Sequence, residues 1–190
     1  MGVRMTGSDL ADRLRAVLFE PFNDRTNLRT GHVRQQETMN IFSIVRRAFW
    51  SGSMAAATSA AVVSREAVNN GSSAIAPINA VAHCIWPGEA MLDERPSFRL
   101  TGAGAFIHWG SGVFWGLAFE ALLGRKASPA RIVGTAAATA ALAYVVDYHV
   151  VPERVTPGFE AHVPQRSFLP IYAALGAGLA LAAFVGRSRA

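Results

Sequence analysis

The hydrophobic and polar positions of this chain fall into long blocks rather than a short alternation. Four stretches are nearly free of charge: residues 48–64, 103–123, 132–151 and 167–186. A helix rises about 1.5 Å per residue, and roughly 17–25 apolar residues cross the hydrocarbon core of a bilayer. Each block therefore predicts a membrane-spanning helix. The first is short and rich in Ala and Ser, and the last carries no charge at all. Strands of a membrane barrel would alternate polar and apolar residues, and these blocks do not. The fold class that follows is all-α, a polytopic membrane protein built as a four-transmembrane-helix bundle.

Residues 74–87 are also apolar but too few to span. Pro77 and Pro87 bound a helix of under three turns, with Asn79 and His83 on one face. This predicts a re-entrant or interfacial segment that roofs the outer end of the bundle. Residues 1–38 hold no spanning block. Leu10, Leu14, Val17 and Leu18 share a helical face, so this extension reads as a poorly ordered tail ahead of Met39 or as an amphipathic surface helix. The membrane domain is then 39–190. Arg46 and Arg47 faintly resemble a twin-arginine export signal, but no small-residue cleavage site follows and further spans do.

Composition agrees with a membrane class. The 190 residues are 51% hydrophobic and 16% charged, where soluble domains carry roughly 25% charged residues. Cys84 is the single cysteine, which excludes an internal disulfide framework. The net charge of +5 comes from arginines that are scattered or sit beside apolar blocks. Without a compact basic patch, the charge predicts no nucleic-acid partner.

The basic residues do read as topology. Arg46 and Arg47, then Arg125, Lys126 and Arg131, then Arg187 and Arg189 flank one end of the predicted bundle, while the other two connections balance acids against bases. Basic loops stay cytoplasmic, which places both termini inside an inner (plasma) membrane. Small size, an Ala/Arg bias and a lone lysine point to a bacterial source. Gly112-xxx-Gly116, Gly134-xxx-Ala138 and Gly176-xxx-Ala180 form small-residue faces. Such faces suit close packing inside the bundle, a homodimer, or a partner membrane protein.

That topology gathers His83, His108, Asp147, His149, Glu160 and His162 at the outer face. Ionisable groups in or near spans are costly and mark function. The expectation is a polar, His-rich cluster that binds a small ligand or a partner. Antiparallel second and third spans would bring Asp147 to His108, with His149 facing elsewhere. The alternative is a membrane-embedded metal- or haem-dependent enzyme with His108, Asp147 and His149 as its candidate ligands. No HExxH, cysteine pair or Gly-x-Ser-x-Gly elbow occurs, so no cofactor is predicted and no catalytic residue assigned. Ser111 lies one turn from His108, too little for a hydrolase assignment. Glu120 is expected to meet Arg125 or to reach the interface. Residues 151–160 hold two prolines and a glycine, a defined turn.

Cytoplasmic reporters fused after Arg125 and Arg189 should be active, and those fused after Asp93 and Glu160 silent. Activity after Glu160 would reverse the orientation.

Overall fold

A computed structural model describes the backbone of residues 24–124 and 127–187, with side chains for 41–124 and 127–186. Two compact units divide the chain, residues 1–42 and 43–190. The described part of the first is helical backbone, and the second holds the apolar helices. The expectation for the N-terminal extension lies outside the described residues up to position 23. From Asp24 the backbone is helical. Arg34, Gln35, Gln36, Glu37 and Met39 are good helix formers, and propensity needs no apolar period.

Among the described residues six α-helices follow in order: α1 Asp24–Asn69, α2 Ala76–Val81, α3 Glu89–Leu92, α4 Phe98–Leu123, α5 Pro129–His149 and α6 Phe168–Arg187. Single 3₁₀ turns lie at Ala82–Cys84, Glu153–Val155, Phe159–Ala161 and Gln165–Ser167. No strand occurs among the described residues. Among the described residues three segments are long and apolar enough to cross a membrane: α4, α5 and Gln165–Gly186. Their outward positions are apolar too, including Phe106, Phe114, Leu142, Leu169 and Leu181, a surface suited to lipid rather than water. The 48–64 part of α1 is less apolar, since Ser51, Gly52, Ser53, Thr58, Ser59 and Ser64 interrupt its alanines.

Local signals set the helix ends. Ser97 caps α4 by accepting from the Leu100 amide at 2.9 Å, so this helix begins five residues before the apolar block at 103. Gly124 closes it at φ +71°. Ser128 caps α5, with Pro129 in its first turn.

The polar face of α1 is used against its neighbours. Antiparallel α4 approaches it so closely that a Cβ on Gly52 would lie 2.4 Å from the Gly112 carbonyl oxygen, and one on Gly116 would lie 2.5 Å from that of Ala48. Trp109 Nε1 donates to Ser53 at 2.8 Å across the same seam. On its other side, Thr58 Oγ1 donates to the Ala174 carbonyl of α6 at 2.7 Å. At the far end of the seam Arg47 donates to Glu120 at 3.0 Å, where Glu120 is 2% exposed. Glu120 therefore pairs with Arg47 of another helix. Arg125, the local partner expected from sequence, lies outside the described residues.

The small-residue faces divide by use. Gly112 and Gly116 meet α1, while Gly176 rests on Ala136 and Ala140 of α5. Gly134 has open space around it, and Ala138 is exposed. Phe119, Leu123, Ile132 and Leu179 fill one half of the bundle, and Val63, Trp115, Phe159, Ile171 and Tyr172 fill the half nearer α2.

Gly52→Ala and Gly116→Ala should each destabilise the protein by about 1–3 kcal/mol, the range for forced overpacking. Gly134→Ala should leave the melting temperature unchanged or raise it, since Ala is the better helix former. Thermal denaturation in detergent checks the contrast.

Candidate functional site

The short α2 lies directly on the first turns of α4, where a Cβ on Gly104 would sit 1.9 Å from the Ile78 carbonyl oxygen. Its Pro77 start and 3₁₀ continuation through Cys84 match the short, proline-bounded segment read from sequence. Asn79 is wholly buried. It donates to the carbonyls of Asp93 at 2.7 Å and Arg95 at 2.9 Å and accepts from Thr101 Oγ1 at 2.6 Å. A buried amide with three partners fixes the loop that returns the chain to α4.

The 151–160 turn closes from the opposite side. Gly158 takes φ +81°, and a Cβ there would stand 2.5 Å from the Ala80 carbonyl oxygen and 2.7 Å from His83 Nδ1. Only glycine fits both the left-handed backbone and the contact. The His83 ring bridges the carbonyl of Ala80 at 2.9 Å and that of Glu153 at 3.2 Å. Arg154 Nε donates to the Cys84 carbonyl at 3.2 Å. Glu160 accepts from Tyr148 at 3.2 Å and from Thr156 at 2.9 Å. Together α2, its 3₁₀ turn and the 153–159 loop form a lid held by polar contacts.

Beneath the lid is a cavity of about 150 Å³ lined by residues that include Ser59, Cys84, His108, Ser111, Trp115, Asp147, Thr156, Phe159 and Tyr172. His108 Nε2 reaches the Ala56 carbonyl at 3.1 Å and Ser59 Oγ at 3.3 Å, both on α1. The carbonyl can only accept, which puts the ring proton on Nε2. Asp147 Oδ2 accepts from the Tyr172 hydroxyl at 2.6 Å. Sequence reasoning paired Asp147 with His108. Both line the one cavity, but each bonds to a different helix, because α6 supplies a donor close to the carboxylate.

The other predicted residues are apart from that pair. His149 is exposed and meets the Tyr144 ring edge-on at 5.6 Å. His162 belongs to a latch between the two lid loops. Its Nδ1 lies 2.9 Å from Ser72 Oγ, and Ser72 donates to Glu94 at 2.8 Å. The Ser73 amide donates to the second Glu94 oxygen at 3.0 Å. The His162 imidazole is 7% exposed, and its Nε2 is buried without a hydrogen-bond partner, as a neutral ring would tolerate. The six expected residues thus share one end of the bundle but occupy several separate places.

Among the described residues no three His, Cys, Asp or Glu side chains are arranged to hold a metal ion. Tyr172, Tyr148, Thr156, Ser72 and Glu94 were missed as site residues. Tyr172 carried the clearest signal: a phenol in an otherwise apolar span, near the end that faces Asp147 on the antiparallel neighbour. Its ring also lines an apolar groove of about 980 Å³ along α5 and α6. Tyr144 and Phe168 line the same groove, Tyr144 edge-on to Tyr172 at 5.5 Å and Phe168 stacked on Tyr148 at 4.7 Å. No family model, curated protein or solved structure matches the chain.

The latch sets a pH dependence. Burial holds the His162 imidazole below its ordinary 6.5, against the opposing pull of Glu94. Below that value the unfolded chain takes up a proton that the folded state resists, so stability falls as pH drops. Hydrogen bonds from Ser72 and the Ser73 amide hold the Glu94 carboxyl below its ordinary 4.5. Its contribution is complete above 4.5 and lost as pH falls through the lower folded value. The melting temperature should therefore decline in two steps from neutral to acid pH. Glu94→Gln should remove the lower step and His162→Gln the upper.

Proposed function

We propose that the protein is a four-span integral protein of a bacterial inner membrane, with both termini cytoplasmic, that binds a small ligand beneath its lid. The fourth span in this reading is residues 48–64. That stretch of α1 runs antiparallel to α4 and α6 along their apolar lengths, and its serines and threonine face those neighbours in the contacts of Ser53, Thr58 and Ser59. A segment wrapped in this way crosses the bilayer with less apolar surface than a lone span needs. Orientation follows the basic residues at the end opposite the lid, which makes α2 an outer, interfacial segment.

The observation that carries the ligand reading is the cavity itself. Protein interiors close-pack, and voids larger than a water are few. Here about 150 Å³ stays open, although three separate polar contacts draw the lid down on it, at His83, Arg154 and Glu160. Its lining mixes Trp115, Phe159 and Ile171 with a carboxylate and an imidazole, the combination of an apolar body and a few polar anchors found in ligand sites. The metal- or haem-dependent enzyme has weaker support, because exposed His149 lies outside the cavity that His108 and Asp147 line.

An apolar cavity of about this volume takes up benzene in other proteins. Saturating benzene should therefore raise the melting temperature of the detergent-purified full chain by a few degrees, by mass action on the folded state. Ile171→Phe, which fills the cavity, should retain the fold and lose that response. An unchanged melting temperature, with no benzene bound by the wild-type chain, would sink the reading.

A further inference from the structure

Within the ligand site proposed above, the polar atoms are unbalanced in sign. Asp147 is the one carboxylate among the cavity-lining residues, and they include neither lysine nor arginine. One of its oxygens accepts from Tyr172. The other accepts no donor from the described residues, and it is not among the sealed, partnerless atoms, so it is open to a ligand. Of the four lining hydroxyls, those of Tyr172, Thr156 and Ser59 are spent on protein acceptors, at Asp147, Glu153 and Ala55, while Ser111 keeps a hydroxyl that can donate or accept. With its Nε2 proton directed to Ala56, His108 offers a second acceptor at Nδ1. The Glu160 carboxylate adds to the negative potential at Asp147.

We infer that the cavity takes a small organic cation, a primary amine on a short alkyl or single-ring body, with its ammonium on Asp147. An ammonium brings three donors and a charge to a carboxylate that lacks a countercharge. The faces of Trp115, Phe159 and Tyr172 supply an apolar wall that also favours a cation. An inorganic divalent ion fits poorly, since it would call for several oxygen ligands beside the single carboxylate. The volume limits the body to about the size of benzene.

The inference rests on the ligand reading, and the test separates the two. Isopentylamine and isopentyl alcohol are nearly isosteric and differ in the charged head. Titration calorimetry on the detergent-purified full chain at neutral pH should show the amine binding at least about tenfold more tightly, as expected for a charge-assisted contact. In Asp147→Asn the amine should fall to the affinity of the alcohol. If that variant fails to fold, the comparison on the wild-type chain still decides. Equal affinities for amine and alcohol would overturn the cation and leave the ligand site standing. Binding of neither, with benzene still stabilising the chain, would also overturn the cation alone. Binding of none of the three would overturn both.

Discussion

The arrangement depends on how closely the backbones of α1 and α4 approach one another. In a bilayer no hydrophobic force drives one apolar helix onto another, so association rests on packing and interhelical hydrogen bonds. Gly52, Gly112 and Gly116 remove the side chains that would hold the two backbones apart. Only at that separation can His108 reach the Ala56 carbonyl and Trp109 reach Ser53. The position of α2 follows as well, since it is seated on the Gly104 turn of α4. A methyl group in the seam would thus be felt at the lid, a full helix length from Arg47 and Glu120.

The sequence made the apolar blocks legible because their signal is additive along many residues. It showed α4, α5 and α6 to within a few positions, with the α4 start displaced by the Ser97 cap. It read the short proline-bounded piece at 74–87 for the same reason, as a block too brief to span. The helical backbone of 24–38 was not legible, because it carries no apolar stripe. At the site, sequence gathered the right residues at the right end but mispaired them. Asp147 and His108 are ionisable groups at the same end of adjacent helices, so they invited each other. The actual donor, Tyr172, sits in α6, and its reach depends on the rotation of that helix about its axis. Glu120 shows the same limit, since its partner Arg47 is remote in sequence and near in space.

The lid end partitions its polar groups rather than pooling them. His83 ties α2 to the 153–155 turn, His162 ties the 72–73 turn to Glu94, and Glu160 is bracketed by Tyr148 and Thr156. His83, His162 and Glu160 each have a task in closing the roof. Asp147 has none there, with one oxygen on Tyr172 and one open. The proposed ligand contact thereby falls to a side chain that the lid does not use.

Tyr172 lines two spaces at once, the cavity beneath the lid on one side and the apolar groove along α5 and α6 on the other. The same ring donates the hydrogen bond that engages the Asp147 carboxylate, so one side chain both borders the two spaces and sets the charge in one of them. Under the proposed ligand reading, a solute that partitions into hydrocarbon would meet the groove side of that ring at its concentration in the membrane rather than in water.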